Sequence, residues 1–149
     1  MLIVDTREKK WEHIKNYFET HNIPFEIRKL DQGDYLDSDN PRIVVDRKRN
    51  LNEVASNLCS NDSSRFWREI RHAKENGIKL IVLVEHSKNI KSVKDVEQWS
   101  SHFSKVTGKR IVHEMFRCHV AYGVIWEFCD KAHTGQRILE LIGYDSRGN

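Results

Sequence analysis

No apolar run in this sequence approaches the ~20 residues needed to span a bilayer. The opening MLIVDTREKKW is charged within five residues and lacks the apolar core of a secretion signal. A membrane span is therefore excluded, export is not expected, and the expected setting is intracellular. Cysteine is scarce: Cys59, Cys118 and Cys129 lie far apart, are odd in number and show no C-x-x-C spacing. That speaks against a disulfide framework and a zinc ribbon, and for a reducing compartment. Internal repeats, low-complexity tracts and linkers are missing too, so residues 1–149 read as one domain, long enough to bury a core. Nor is there a strong excess of one charge. Lys and Arg number 25 against 22 Asp and Glu, and the net charge of +3 permits nucleic-acid binding without demanding it.

What is present alternates strands with helices. Leu2-Ile3-Val4 reads as a short buried strand, and Trp11, Ile14 and Phe18 give a helix over about Lys9 to Thr20, ended by Asn22 and Pro24. Phe25, Ile27 and Leu30 alternate with polar residues as a second strand. Asp34-Tyr35-Leu36 and Arg42 to Asp46 form the arms of a hairpin whose turn lies in Asp37 to Pro41. Asn50-Leu51-Asn52-Glu53 resembles a capping box that starts a helix buried through Leu51, Val54, Ala55 and Leu58. A further helix from Ser64 to Glu75 turns Phe66, Ile70 and Ala73 inward and stops at Gly77. Ile78 to Val84 is nearly all apolar, hence a central strand covered on both faces. Ser92 opens a helix carrying Val93, Val96 and Trp99; another spans Gly108 to Val120. Gly123 to Cys129 is a late strand and Thr134 to Ile142 a last helix. The order implies an α/β fold, a mixed sheet with helices on both faces.

Carboxylates gather at the strand ends. Asp5 closes the first strand, Asp34 opens the hairpin, and Asp46 closes its second arm with Lys48 two residues on. Residues two apart on a strand point to the same side, so Asp46 and Lys48 face one cleft. Hard divalent cations take one or two carboxylates, with water and substrate phosphate completing the shell. A lysine beside such an ion can orient water or neutralise phosphate charge. The pattern suits metal-assisted phosphodiester hydrolysis, although Asp46 and Lys48 also read as a surface ion pair, Asp34 as a turn residue and Asp5 as a helix cap.

Asp5-Thr6-Arg7-Glu8, Gly33-Asp34-Tyr35 and Val44-Val45-Asp46-Arg47-Lys48 resemble the successive motifs of XPF-type (ERCC4-domain) nucleases in the PD-(D/E)XK, restriction-endonuclease-like superfamily. Ser64-Arg65-Phe66 with Arg68-Glu69 is similar to the family's R-F helix, and Leu80 to Glu85 to its L-V-E strand, so the motif-bearing core is about residues 2–86 and the rest, about 92–143, matches loosely. Two positions depart from the pattern: Asp46 stands for the family's Glu, and Asn52 for its final Asp, where Asn is expected to cap the following helix.

The resemblance implies a Mg²⁺- or Mn²⁺-dependent DNA endonuclease, acting on branched or single-strand/double-strand junction DNA and leaving 5′-phosphate ends. It implies metal ligation by Asp34 and Asp46, with Asp5 adding a third carboxylate directly or through water. It places Lys48 at the water and the scissile phosphate. Arg47 would contact phosphate or pair with an acid, while Arg49, Arg65, Arg68, Arg71 and His72 would meet the DNA backbone. Arg7, Glu8 and Glu69 would support the ligands. The compact form resembles small nucleases of bacteria and phages, with pairing into a homodimer or with a heteromeric partner through residues beyond Glu85. Two other readings share these residues: a non-catalytic DNA-binding scaffold subunit, and a Holliday-junction resolvase or restriction enzyme.

The remaining candidates have blander readings. His113 and His119 beside Cys118 have poor zinc spacing and read as helix packing. Glu85 and His86 read as a polar pair at a strand end. Trp11, Trp67, Trp99 and Trp126 fall in apolar patterns and read as core or interface ahead of base stacking.

Overall fold

The computed structural model describes residues 1–86 and 89–144. Six strands form one sheet: β1 (Leu2–Val4), β2 (Phe25–Ile27), β3 (Tyr35–Asp37), β4 (Asn40–Lys48), β5 (Lys79–Glu85) and β6 (Ile125–Cys129). Their spatial order is β2-β1-β3-β4-β5-β6. β3 runs antiparallel to both its neighbours, while β1–β2, β4–β5 and β5–β6 are parallel. The helices are α1 (Glu12–Thr20), α2 (Leu51–Cys59), α3 (Ser63–Glu75), α4 (Val93–Val96), α5 (Gly108–Tyr122) and α6 (Thr134–Ile142). The mixed sheet covered on both faces is the architecture expected from the order of elements. Among the described residues no helix is long and apolar enough to cross a membrane.

Two cores lie on opposite faces of the sheet. One joins Val44, Leu80, Val82 and Val84 to α2, α3 and α5. The other joins Tyr35, Val45, Ile81 and Leu83 to α1 and α6. Residues that alternate along β4 and β5 thus enter different cores, which explains why β5 is apolar on both faces. Each fully buried aliphatic side chain contributes roughly 1.5–3 kcal/mol. The four tryptophans pack against these cores, as their pattern implied.

Some boundaries move for identifiable reasons. α1 begins at Glu12 rather than Lys9, because Lys10 adopts φ 50°, a left-handed conformation that no helix accepts. β2 stops at Ile27, although Leu30 beyond it is buried. The hairpin turn needs only Ser38 and Asp39, so β4 starts at Asn40 and carries Pro41 at its exposed beginning. α4 ends at Val96, leaving Trp99 outside the helix but against the first core. Asn50, not Asn52, caps α2, its side chain accepting from the Glu53 N–H at 2.8 Å. Asn52 lies inside the first turn, its Oδ1 buried and without a partner among the described residues.

Candidate active site

The β3–β4 hairpin builds the site. Gly33 precedes it at φ 71°, and a Cβ there would lie 2.4 Å from Val44 Cγ1, so only glycine fits. The Asp34 N–H donates to the Val45 carbonyl at 2.8 Å, and the Asp34 carbonyl accepts from the Asp5 N–H at 2.8 Å. Asp34 Oδ2 accepts from the Arg47 N–H at 2.8 Å. From α3, Glu69 reaches over and accepts from the Gly33 N–H at 3.0 Å. Asp34 is therefore fixed by backbone bonds on both sides.

Alternation along β4 decides what joins it. Asp46 and Lys48 pair in register with Val82 and Val84, on the face covered by α2 and α3. Lys48 Nζ lies 3.4 Å from Asp46 Oδ2 and 4.7 Å from the centre of the Phe66 ring. The same-side placement expected of residues 46 and 48 is thus what the strand shows. Burial and the adjoining Asp46 charge push the Asp34 carboxyl well above the usual range, and Glu8 adds to this. Burial and Asp46 likewise push up Glu69. Burial alone would lower the Lys48 ammonium, but Asp46, Glu53, Asp34 and Glu69 outweigh it and hold the lysine charged. The site is a knot of acids answered by one lysine.

Arg47 points the other way, and here the expected phosphate contact gives way to its alternative. Its side chain is buried on the α1 and α6 side, where the guanidinium bonds both Glu8 oxygens at 2.9 and 3.0 Å, the Lys9 carbonyl at 2.7 Å, and Glu85. It cannot meet DNA. Glu85 also accepts from Thr134 Oγ1 at 2.7 Å and lies 2.7 Å from His13 Nε2. The strand-end pairing of Glu85 with His86 is replaced by this network, while the His86 N–H donates to the Cys129 carbonyl. His13 and Thr134 have no signature in the sequence, although the odd-even alternation of Asp46-Arg47-Lys48 already separates Arg47 from the cleft.

Asp5 is also spent on structure. Its oxygens take the Arg7 N–H and guanidinium and the Leu30 N–H, at 2.8 to 3.3 Å. Both oxygens hold protein donors, so Asp5 clamps the β1 end from a buried position. Arg7, raised chiefly by its bond to Asp5, ties that clamp to the Leu30 carbonyl. Glu8 is bound to Arg47 and lines the small cavity, about 190 Å³, that contains Asp34, Asp46 and Lys48.

Arg65 and Arg68 are exposed on α3 and line a cavity of about 600 Å³ with Lys48, Glu69, Ser56 and Asn57. Arg49 borders the Asp34–Asp46 cavity and sits 3.5 Å from Glu53. Arg71 and His72 are exposed on α3 but border neither space. His119 Nδ1 donates to the Val124 carbonyl at 2.9 Å, consistent with helix packing.

The donors suit a hard divalent cation. Two carboxylates adjoin, and one is pushed up by the other, so a positive ion would relieve their repulsion. Among the described residues no group of three or more His, Cys, Asp or Glu could hold a metal ion. Two adjoining carboxylates are a donor set that suits a hard divalent cation.

No curated protein sequence matches this chain. Two solved structures share its fold: XPF from Aeropyrum pernix, at TM-score 0.70 and 20% identity over 95% of this chain and 62% of that one, and XPF from Aeropyrum pernix in complex with DNA, at TM-score 0.70 and 20% identity over 99% and 66%. The chain spans under two thirds of the length of either. The family model described as ERCC4 domain matches residues 4–136. The glycine turn, the hairpin carboxylates and the lysine beside them all fall within that span, and the chain belongs to the ERCC4 domain family.

Proposed function

We propose that this chain is a divalent-metal-dependent endonuclease that hydrolyses phosphodiester bonds in DNA, preferring branched or single-strand/double-strand junctions. The adjacency of Asp34, Asp46 and Lys48 in an ERCC4-family chain carries the reading. Asp34 and Asp46 would hold Mg²⁺ or Mn²⁺, which when bound supplies charge neutralisation at phosphate and a more acidic water. Lys48, kept protonated by its acids, donates to a phosphate oxygen or orients the water rather than taking a proton. Glu69 holds the Gly33 turn and so the position of Asp34. Water oxygen bonds to phosphorus in line as the P–O3′ bond breaks; the water's proton passes to bulk water and the 3′ oxygen takes one up, leaving a 5′-phosphate and a 3′-hydroxyl.

The test is incubation with Mg²⁺ or Mn²⁺ and a panel of forked, flapped, nicked, four-way and linear DNAs, beside Asp46→Ala and Lys48→Ala. Cleavage by the native chain should fall at least 100-fold in each variant. Absence of metal-dependent cleavage on every substrate would support the scaffold reading instead. Preference for four-way or linear duplex DNA would favour the resolvase or restriction reading.

We also propose self-association or a heteromeric partner through the region beyond Glu85. Phe116 and Val120 on α5 are 58% and 79% exposed, unusual for large apolar side chains one helical turn apart. Phe116→Glu should lower the sedimentation coefficient if this face pairs two copies.

A further inference from the structure

Beyond Arg49 the surface opens into a cleft of about 710 Å³ lined by Lys10, His13, Arg49, His86 and Lys131. It is separate from the Arg65–Arg68 cavity, yet shares Arg47 and Arg49 with the small cavity of Asp34 and Asp46. The carboxylate pair therefore lies between two open clefts, one reached through Lys48 and the other through Arg49.

The acids of this second cleft are already answered. Glu85 is bound by Arg47, His13 and Thr134, and Asp130 by His133 at 2.6 Å. Lys10 and Lys131 are exposed and form no ion pair among the described residues. The net character facing solvent is cationic.

Lys10 is also held in an unusual backbone conformation. At φ 50° it occupies a conformation that glycine or asparagine adopts more cheaply. Arg47 holds the loop there through Glu8 and the Lys9 carbonyl. A strained backbone that presents a lysine at the rim of a cleft is commonly tied to function.

We infer that this cleft is a second DNA-backbone site, in which Lys10, Lys131 and Arg49 hold phosphates of the same strand that crosses Asp34 and Asp46. The inference rests on the nuclease reading for the identity of the ligand. A strand threaded through both clefts has its scissile phosphate at the carboxylates and contacts on either side. The cleft thus adds grip outside the reacting bond, and does so without metal.

The experiment measures binding of a labelled forked DNA in EDTA, by fluorescence anisotropy over a series of salt concentrations. The native protein is compared with Lys10→Gly/Lys131→Ala. Glycine suits the backbone at position 10, so the double variant should keep its melting temperature. Its affinity should fall, and the slope of log K against log[salt] should flatten by about 1.5, the loss of two phosphate contacts. An unchanged slope beside a folded variant overturns the second site and leaves the nuclease reading standing. If the native chain cleaves no DNA but the slope flattens as stated, the nuclease reading falls and the cleft stands as a DNA-binding site. If the native chain binds no DNA at any salt, both fall. Should Lys131→Ala unfold the protein, Lys10→Gly alone gives the same comparison, with a flattening of about 0.8.

Discussion

Asp34 pays for its place with a raised pKa, and the consequence can be measured. Burial and the Asp46 charge lift its folded-state pKa above the unfolded value of about 3.9. Below pH ~4 the group is protonated in both states and costs nothing. As the pH rises from the unfolded towards the folded pKa the penalty grows, and above the folded pKa it stays constant. Asp34→Asn, which keeps an acceptor for the Arg47 N–H, should therefore raise the melting temperature of the metal-free protein. The gain should grow as the pH rises from about 4 until it levels off, and vanish at lower pH. Added Mg²⁺ should raise the melting temperature of the native chain and leave Asp34→Asn nearly unmoved; a metal response equal in both would remove Asp34 from the ligand set. Arg47 behaves differently. Replacing it by Met strands Glu8 and Glu85 in the interior, and urea unfolding should show a loss of about 3–5 kcal/mol. Lysine keeps the charge but cannot bridge Glu8 through two nitrogens, so Arg47→Lys should fall between.

At the level of elements, the glycine turn and the α2 cap are the places where sequence and geometry meet most tightly. Gly33→Ala forces a Cβ onto Val44 and a side chain into a left-handed conformation, each costly, so stability should fall by more than the ~1 kcal/mol of the backbone strain alone. Metal-induced stabilisation should fall with it, because Asp34 follows directly. Asn50→Ala should cost about 1 kcal/mol in urea unfolding and leave metal binding intact. Such elements were legible beforehand because their signals are local. The apolar face of α2, the nearly all-apolar β5 and the turn residues of the hairpin each lie within a dozen residues. The boundary of α1 was not, since nothing in Lys9-Lys10-Trp11 announces a left-handed lysine; Arg47 imposes it from another strand. Asp5 resisted for the same reason. Its partners Arg7 and Leu30 are near and far in sequence, and only packing of the β2 end brings the Leu30 N–H to it. The carboxylates of the site were visible as residue types, whereas the donors that each of them holds depend on packing between distant elements.

Across the whole molecule, the network behind the site joins distant parts of the chain. Glu8 precedes α1, His13 lies on it, Arg47 on β4, Glu85 on β5 and Thr134 opens α6. The two cores have the same reach: α6 packs on α1, β3, β4 and β5, and Ile138 and Ile142 are fully buried there. The motifs from residue 2 to residue 86 thus depend on a helix more than forty positions later. During synthesis every motif residue leaves the ribosome before that helix exists. Until it docks, Glu85 lacks its hydroxyl partner and the α1 face of β4 and β5 is open to water or to other chains. The order of emergence therefore delays a competent site until α6 has been made. A chain halted at Asp130, with all its acids and Lys48 in place, should show no cooperative thermal transition and aggregate where the full chain does not.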